Sequence, residues 1–210
     1  MYTDPHVVRR KVERELRHLV DRIDYFRERG IWVLEYRFPT LLVAFAAARF
    51  TPHPIVPFGV LLELSNYDVE PPSVSFVNPF TKVPLKRNQL ATELQRVRLL
   101  PPSDLQPGRA PNGPTGPDGQ PLRQGVPERF LQFWSDDDIP FMCMRGVREY
   151  HNNPGHTGDS WWLHRAQNAG SIIRLLEIIA KYGTEPMVQQ NFSVQVQAAG
   201  IVVQQIVEPA

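Results

Sequence analysis

The stretch GVLLELSNYDVEPPSVSFVNPF, residues Gly59 to Phe80, contains two short apolar runs separated by a turn-forming segment. Val60 to Leu64 and Val74 to Val77 have the length and the β-branched or aromatic content of strands. Between them, Pro71 and Pro72 each lack a backbone amide donor, so they do not continue a paired strand. The stretch therefore predicts two neighbouring strands joined by a short irregular connection.

Two further strands are predicted upstream. From Trp32 to Phe38, apolar and polar residues alternate with the two-residue period of a half-buried strand. Leu41 to Phe50 is mostly apolar and fits strand or helix, and its neighbours favour a strand. Sequential short strands with short connections indicate a four-stranded antiparallel meander.

A helix is predicted before the strands. Asp4 is a good N-cap, and Pro5 is preorganised for the first helical position. Gly30 is placed to end the helix in a left-handed conformation. Its apolar stripe has three- and four-residue spacing and consists of Val8, Val12, Leu16, Leu19, Ile23 and Phe26. The opposite face is interpreted as solvated, with a basic docking surface as the alternative, and carries Arg9, Arg10, Lys11, Glu13, Arg14 and Arg17.

Downstream, Leu85 to Leu100 predicts a short helix with Leu90, Leu94 and Val97 on one side. Pro101 to Pro127 is dense in Pro, Gly, Asp and Gln, so it has little apolar surface to offset the entropy of ordering, and it predicts a flexible insertion.

Ser171 to Tyr182 predicts a helix, which Gly183 ends. Its apolar stripe consists of Ile172, Leu175, Leu176 and Ile179. We expect one domain over residues 1–183 and a tail over 184–210. In that tail, Phe192 to Val207 is suited to an edge strand or to a contact with a neighbouring subunit.

Composition excludes several classes of protein. The formal net charge of +1 gives no bulk attraction to nucleic acid or to anionic membrane. No apolar run approaches the roughly 20 residues that span a bilayer, and the N-terminus lacks the apolar core of a signal peptide. A single cysteine excludes an internal disulfide framework. We therefore expect a soluble cytoplasmic protein with a reduced thiol.

Four chemically versatile residues fall close together in the stretch Pro140 to Arg165, namely Cys143, Glu149, His151 and His156. If this segment is a strand, Glu149 and His151 point to the same face. Asn152 to Gly155 predicts a turn, which would fold His156 back toward His151. The cluster suits either nucleophilic thiol chemistry or metal ligation.

The segment from Gly59 to Phe80 resembles the ubiquitin-conjugating enzyme fold, in which a glycine-led strand runs into a Tyr-Pro-x-x-Pro-Pro-x-Val-x-Phe segment. The matching positions are Tyr67, Pro71, Pro72, Val74 and Phe76. Asp68 replaces the proline that usually follows the tyrosine. The resemblance implies an α+β fold of ubiquitin-conjugating-enzyme type: an N-terminal helix, a four-stranded antiparallel meander, a long Pro/Gly loop, a cysteine segment and a C-terminal helix.

In that family the catalytic cysteine lies downstream of this strand and before a helix, and Cys143 has the corresponding place. The stretch around it resembles bacterial proteins of the Cys-Glu-His-His type, first regarded as predicted metal-binding domains and found beside bacterial ubiquitin-like conjugation components. Its four named positions match Cys143, Glu149, His151 and His156.

The resemblance implies an enzyme that accepts a ubiquitin-like protein as a thioester on Cys143 and passes it to a lysine amine. The implied partners are that ubiquitin-like protein, an activating enzyme that uses ATP, and a JAB-type deubiquitinase-like peptidase of the same pathway. No cofactor is implied for the transfer step. His151 or His156 would act as general base, Glu149 would orient the histidine or the amine, and Arg145 and Arg148 would favour the thiolate.

The chain departs from the family in one respect that concerns catalysis. The His-Pro-Asn motif, whose asparagine supports lysine attack, is missing, and Asn78-Pro79-Phe80 stands near its place. The interval between the proline pair and the cysteine is also longer than usual. Stabilisation of the oxyanion must come from elsewhere, with Asn78 as one candidate.

Four alternatives remain open from the residues. Cys143, between Met142 and Met144, fits a small buried hydrophobe. Thiolate, carboxylate and two imidazoles also form a legitimate tetrahedral zinc set, and a ligated cysteine carries a thioester poorly. A thiol hydrolase and a catalytically inert binding module are the other two. Outside the cluster, residues interpreted as structural, exposed or turn-forming are His53, Asp159, Trp161, Trp162 and His164.

Overall fold

The computed structural model describes residues 3–99, 125–189, 191–197 and 200–206, with side chains described up to residue 98 and over residues 125–189. Four consecutive strands form one antiparallel sheet in the order β1-β2-β3-β4, which confirms the predicted meander. Their bounds are Ile31–Arg37 (β1), Thr40–Ala47 (β2), Ile55–Glu63 (β3) and Ser73–Val77 (β4).

The N-terminal helix begins as predicted. Asp4 caps it by accepting a hydrogen bond from the His6 backbone amide at 2.8 Å, and Pro5 is its first residue. The helical segment is divided at Arg22 into α1, Pro5–Asp21, and α2, Ile23–Glu28, where one continuous helix was expected. Gly30 follows with a φ angle of 76° and leads directly into β1, as its predicted capping role requires.

At the start of β1, the buried side chains are not the ones that the alternation of apolar and polar residues predicts. Trp32 and Leu34 are 45% and 49% exposed, whereas Ile31 is buried. A register shift between Val33 and Glu35 marks a β-bulge opposite β2. The bulge reverses which side chains face inward, so Tyr36 packs against the core.

One hydrophobic core joins the sheet to the helices. Its buried side chains include Val8, Val12 and Leu19 of α1, Phe26 of α2, Leu41, Val43 and Phe45 of β2, Phe58, Val60 and Leu62 of β3, Val74 and Phe76 of β4, and Leu175, Leu176 and Ile179 of the C-terminal helix. Helix α5, Ile172–Ile179, is shorter than predicted and continues as a π-helical turn, Ala180–Thr184, which includes Gly183.

The predicted helix between Leu85 and Leu100 is wrong. The chain forms only a 3₁₀ turn at Arg87–Gln89 and then strand β5, Gln95–Leu99. Strand β6, Gly125–Arg129, pairs with β5 in an antiparallel sheet of two strands, so the last three residues of the predicted insertion belong to β6. Residues 101–124 of the insertion lie outside the described residues.

A short hairpin leads to the cysteine. Its strands are β7, Leu131–Gln132, and β8, Phe141–Met142. The backbone amides of Trp134 and Ser135 donate to the Asp138 carboxylate at 2.9 and 2.8 Å, so the strands are joined by a turn that contains Asp136, Asp137 and Asp138.

After the hairpin come two short helices, α3, Arg148–Asn152, and α4, Trp161–Arg165. The tail forms a hairpin of its own, β9, Asn191–Gln197, with β10, Gly200–Ile206, and within the described residues neither strand joins the four-stranded sheet. In the parts of the chain described, no helix combines the length and apolar character needed to cross a membrane.

Candidate functional site

Cys143 follows β8 directly, at the base of the hairpin. Its backbone amide donates to the Phe130 carbonyl at 2.6 Å, which fixes the main chain where the strand ends. The side chain is half-buried, and its Sγ lies 3.1 Å from Nε2 of His156. The thiol is therefore in direct contact with an imidazole, as thiol–imidazole chemistry requires.

The turn before His156 is confirmed. Asn153 caps a 3₁₀ turn, Pro154–His156, by accepting a hydrogen bond from the Gly155 amide at 2.8 Å. The turn brings His156 back toward Cys143, whereas the sequence predicted a return toward His151.

Glu149 and His151 belong to helix α3, so their predicted placement on one face of a strand is wrong. The Glu149 carboxylate accepts a hydrogen bond from the Ser73 hydroxyl and another from the Val74 backbone amide, the latter at 3.3 Å. Both of its oxygens thus attach α3 to strand β4.

His151 uses both ring nitrogens in contacts with the main chain. Its Nε2 accepts from the Gly146 amide at 3.2 Å, and its Nδ1 lies 2.9 Å from the Asp159 carbonyl oxygen, to which it donates in the neutral ring. The pKa of His151 is lowered, chiefly because burial disfavours the charged ring. These contacts require a neutral imidazole with its proton on Nδ1.

The alternative zinc site does not fit this arrangement. A tetrahedral site needs four converging donor atoms, but the donor atoms of Glu149 and His151 are already engaged in hydrogen bonds away from the sulfur. Within the described residues, no group of three or more His, Cys, Asp or Glu side chains is arranged to hold a metal ion.

Asp159 connects several parts of the site. Its carboxylate accepts hydrogen bonds from the Tyr150 hydroxyl at 2.5 Å, from the Arg145 Nε at 3.1 Å and from the His164 Nε2. Its backbone amide donates to the His156 carbonyl at 3.1 Å. These donors hold the pKa of Asp159 well below its usual range, with His164 contributing most.

The comparisons with known proteins identify the family. The family model described as Y4jH-like, Y4jH family, matches residues 3–187. The chain is also 36% identical over 202 residues to the Sinorhizobium fredii (strain NBRC 101917 / NGR234) protein called "Uncharacterized protein y4jH", a match that covers 95% of this chain and 93% of that protein. This chain belongs to the Y4jH-like family. The matched range contains the four-stranded sheet and the whole Cys143 site.

In this Y4jH-like protein the surroundings of Cys143 favour the thiol over the thiolate. The pKa of Cys143 is raised, first because burial disfavours the thiolate and second because the Glu128 carboxylate repels it. The partial burial agrees with the interpretation of Cys143 as a small apolar side chain. The contact between its sulfur and the His156 imidazole does not agree with that interpretation.

The two arginines expected to stabilise the thiolate are paired with carboxylates. Arg145 bonds Asp159, and Arg148 lies 2.5 Å from a Glu63 carboxylate oxygen. Arg148 also donates to the Pro71 carbonyl at 3.2 Å, so it attaches α3 to the segment with the proline pair. Their positive charges are largely offset by these carboxylates, which agrees with the raised pKa of the thiol.

Three other side chains in the Y4jH-like structure test the sequence interpretation. Asn78 accepts from the Phe80 and Thr81 amides at 2.9 and 3.1 Å, so its side-chain oxygen stabilises a turn. Trp161 is buried and Trp162 is 59% exposed, so one tryptophan belongs to the core and the other lies partly at the surface, in keeping with their interpretation as structural or exposed residues.

Sequence reasoning missed two residues of the site, Tyr150 and Glu128. Tyr150 lies between two residues that the sequence did single out, Glu149 and His151, and this adjacency was the one available signal. Glu128 precedes the cysteine by fifteen positions and reaches it only through the pairing of β5 with β6 and of β7 with β8.

Proposed function

We propose that this protein is a bacterial conjugating enzyme of the ubiquitin-conjugating type, which carries a ubiquitin-like protein as a thioester on Cys143 and transfers it to a lysine amine. The observation that carries the proposal is the 3.1 Å contact between Cys143 Sγ and His156 Nε2. It supplies a nucleophile and a proton acceptor in one place.

The order of elements supports the fold part of the proposal. An N-terminal helix precedes a four-stranded antiparallel meander, and the cysteine lies after the last strand of that meander and before α5. This is the order that the resemblance to ubiquitin-conjugating enzymes implies. The segment with the proline pair also contacts the cysteine region, because Arg148 binds the Pro71 carbonyl.

Loading would be a thioester exchange. An activating enzyme, using ATP, presents the C-terminal carbonyl of the ubiquitin-like protein as a thioester of its own cysteine. The Cys143 thiol proton moves to His156 Nε2, and Sγ attacks that carbonyl. A new carbon–sulfur bond forms, the bond to the activating enzyme breaks, and the departing thiolate takes up the proton from His156.

Discharge would follow the same route with an amine. A neutral lysine Nζ attacks the Cys143 thioester, a carbon–nitrogen bond forms and the carbon–sulfur bond breaks. The proton lost by the amine returns through His156 to the Cys143 sulfur. The neutral His156 ring must carry its hydrogen on Nδ1 for Nε2 to accept a proton in either step.

The geometry supports distinct roles for the remaining predicted residues. We assign the general base to His156, since His151 has both nitrogens in contacts with the main chain. His151 and Glu149 then act as positioning residues, because they hold the loop around Gly146 and strand β4 against α3. No cofactor is part of the proposal.

The test is a loading assay with the purified chain, an activating enzyme, ATP and a ubiquitin-like protein with its mature C-terminus. We expect a covalent adduct that thiol reductant removes and that Cys143→Ala abolishes. His156→Ala should slow loading by about 10²–10⁴-fold, the range for loss of a general base. The matched control is His53→Ala, which removes an exposed histidine outside the site.

Different results separate the alternatives. Conjugation by Cys143→Ala would contradict the thioester role, and the absence of any reductant-sensitive adduct on the wild type would favour an inert binding module. Release of the free ubiquitin-like protein from an added conjugate, without transfer to lysine, would favour a thiol hydrolase. About one zinc per chain, with a lower melting temperature after chelation, would replace the proposal by a metal site.

A further inference from the structure

Tyr150 is stacked on the imidazole that contacts the cysteine. The centroids of the Tyr150 and His156 rings lie 3.9 Å apart, and the ring planes differ by 24°. Tyr150 is 9% exposed, so the stack is shielded from solvent on the phenol side. The position of the His156 ring plane is therefore determined largely by this contact.

His156 lacks the usual means of orientation. A catalytic imidazole is normally held by a hydrogen bond to the nitrogen that does not react. Its Nε2 contacts the cysteine, and no partner for its Nδ1 is found among the described residues. The backbone of His156 is held at the end of a capped 3₁₀ turn, but this does not set the rotation of the ring.

The phenol is itself firmly held. Its hydroxyl donates to the Asp159 carboxylate at 2.5 Å, and that carboxylate is bound in turn by His164 and Arg145. The Asp159 backbone amide holds the His156 carbonyl at 3.1 Å. Asp159 therefore fixes both the ring that stacks on His156 and the main chain that carries it.

We propose that Tyr150 is a further positioning residue of the site, the one that acts on the general base: by stacking on His156 it keeps Nε2 directed at the Cys143 sulfur, with Asp159 fixing the phenol. This assignment rests on the proposed function for the reaction that the pair performs. Tyr150 itself does not touch the sulfur or the acyl group, and it acts through His156.

The test measures the rate at which iodoacetamide alkylates the protein at pH 7. Cys143 is the only cysteine, so the whole rate reports this thiol. We expect Tyr150→Leu and His156→Ala each to lower the rate about tenfold, less than the full effect of losing a general base because alkylation requires only activation of the thiol. Tyr150→Phe, which keeps the stacked ring, should stay within about threefold of the wild type.

The decisive measurement is the double variant Tyr150→Leu with His156→Ala. If Tyr150 acts through His156, the double variant should react no more slowly than His156→Ala alone, because coupled residues are not additive. Tyr25→Leu is the matched control: its hydroxyl also bonds a carboxylate, Glu177 at 3.2 Å, but it lies on α2 and should leave the rate unchanged.

Three results would overturn the assignment: an equal or faster rate for Tyr150→Leu, an unchanged rate for His156→Ala, or a further tenfold loss in the double variant. Each variant is first checked for cooperative melting, and Tyr150→Met replaces Tyr150→Leu if the latter fails to fold. Alkylation needs no acyl donor. A failed loading assay with the alkylation results intact would thus reject the proposed function and leave the role of Tyr150 standing.

Discussion

At the scale of single residues, the reactivity of Cys143 depends on opposing neighbours. His156 can accept the thiol proton at 3.1 Å, whereas burial and the Glu128 carboxylate keep the thiol pKa above its ordinary value. A thiol in this state reacts through proton transfer during attack and not through a resting thiolate.

Replacing Glu128 by Gln should make the thiol more reactive. The substitution removes a negative charge that raises the thiol pKa, and it leaves the Arg96 cation, which Glu128 binds at 2.7 Å, unneutralised. We expect alkylation at pH 7 to be about two- to threefold faster, a modest change because burial is the larger cause and the carboxylate is partly solvated. The measurement is the alkylation rate between pH 6 and 9.

The control for that experiment is Glu35→Gln, which removes a carboxylate paired with Lys82 at 2.6 Å on strand β1. It should leave the alkylation profile unchanged. A Glu128→Gln variant with a slower rate or an upward shift of the profile would show that the carboxylate assists the thiol, contrary to this prediction.

At the scale of elements, the site depends on a close contact between two loops. Gly146, three residues after the cysteine, has a φ angle of 93°, and a Cβ atom there would lie 2.2 Å from the Ala169 carbonyl oxygen. Its amide donates to His151. The segment that carries Cys143 is therefore packed against residues 169–170, immediately before α5.

Gly146→Ala should destabilise the protein by about 2–4 kcal/mol, because the left-handed backbone costs roughly 1 kcal/mol for a side chain and the steric overlap adds about 1–3 kcal/mol. The matched control is Gly158→Ala. Gly158 has nearly the same φ angle, 94°, but a Cβ there meets no atom within 4 Å.

Denaturant unfolding of the two variants measures the difference. Gly158→Ala should lose only about 1 kcal/mol, the conformational part. Equal losses would show that the loop around Gly146 moves away from Ala169 at little cost, and that the contact between the two loops does not hold the site.

At the scale of the whole molecule, Asp68 joins three separate parts of the chain. Its carboxylate lies 2.9 Å from Lys11 Nζ on α1 and 2.7 Å from Arg165 on α4, and its carbonyl accepts from Trp161 Nε1 at 3.2 Å. Asp68 therefore contributes ion pairs that attach α1 and α4 to the connection between β3 and β4.

Asp68→Asn should lower the free energy of unfolding at pH 7 by about 1–2 kcal/mol, because it leaves two half-buried cations without their shared carboxylate. The three side chains are 30–33% exposed, so solvent screens part of the interaction. Glu13→Gln is the control, since it breaks a pair with Arg9 whose side chains are 59% and 42% exposed, and it should leave the stability unchanged because solvent screens the pair.

The pH dependence of that difference follows from the lowered pKa of Asp68. Burial opposes this lowering, and the hydrogen bonds from Arg165 and Lys11 outweigh it. The contribution of the Asp68 carboxylate to stability is complete above the pKa of Asp in the unfolded chain, about 3.9. It is lost as the pH falls through the lower pKa of Asp68 in the folded protein. The difference in the free energy of unfolding between wild type and Asp68→Asn should thus be constant from pH 5 to 8 and become smaller below about pH 4. A difference that widens in acid would contradict the assigned sign.

Local sequence patterns determined much of the fold. The Asp4-Pro5 start of α1, the four strands of the meander and the existence of α5 were predicted, because capping chemistry and hydrophobic periodicity act over a few residues. The choice of which side chains of β1 face the core was not predicted, because it depends on a β-bulge formed opposite β2. The strand within the segment from Leu85 to Leu99 was not predicted either, because it depends on the pairing of β5 with β6, which comes later in the chain.

The same division holds at the site. The sequence by itself determined that one cysteine lies near two histidines and a glutamate, with a turn at Asn153-Pro154. Only the tertiary structure decided which histidine contacts the sulfur. His151 is drawn away by main-chain partners at Gly146 and Asp159, and Glu149 is bound to β4, whereas the turn returns His156 to Cys143 under the ring of Tyr150. The partners of Glu149 lie on β4, in a different segment of the chain, and the contacts of His151 and His156 depend on how the stretch folds back on itself, so residue spacing alone could not specify them.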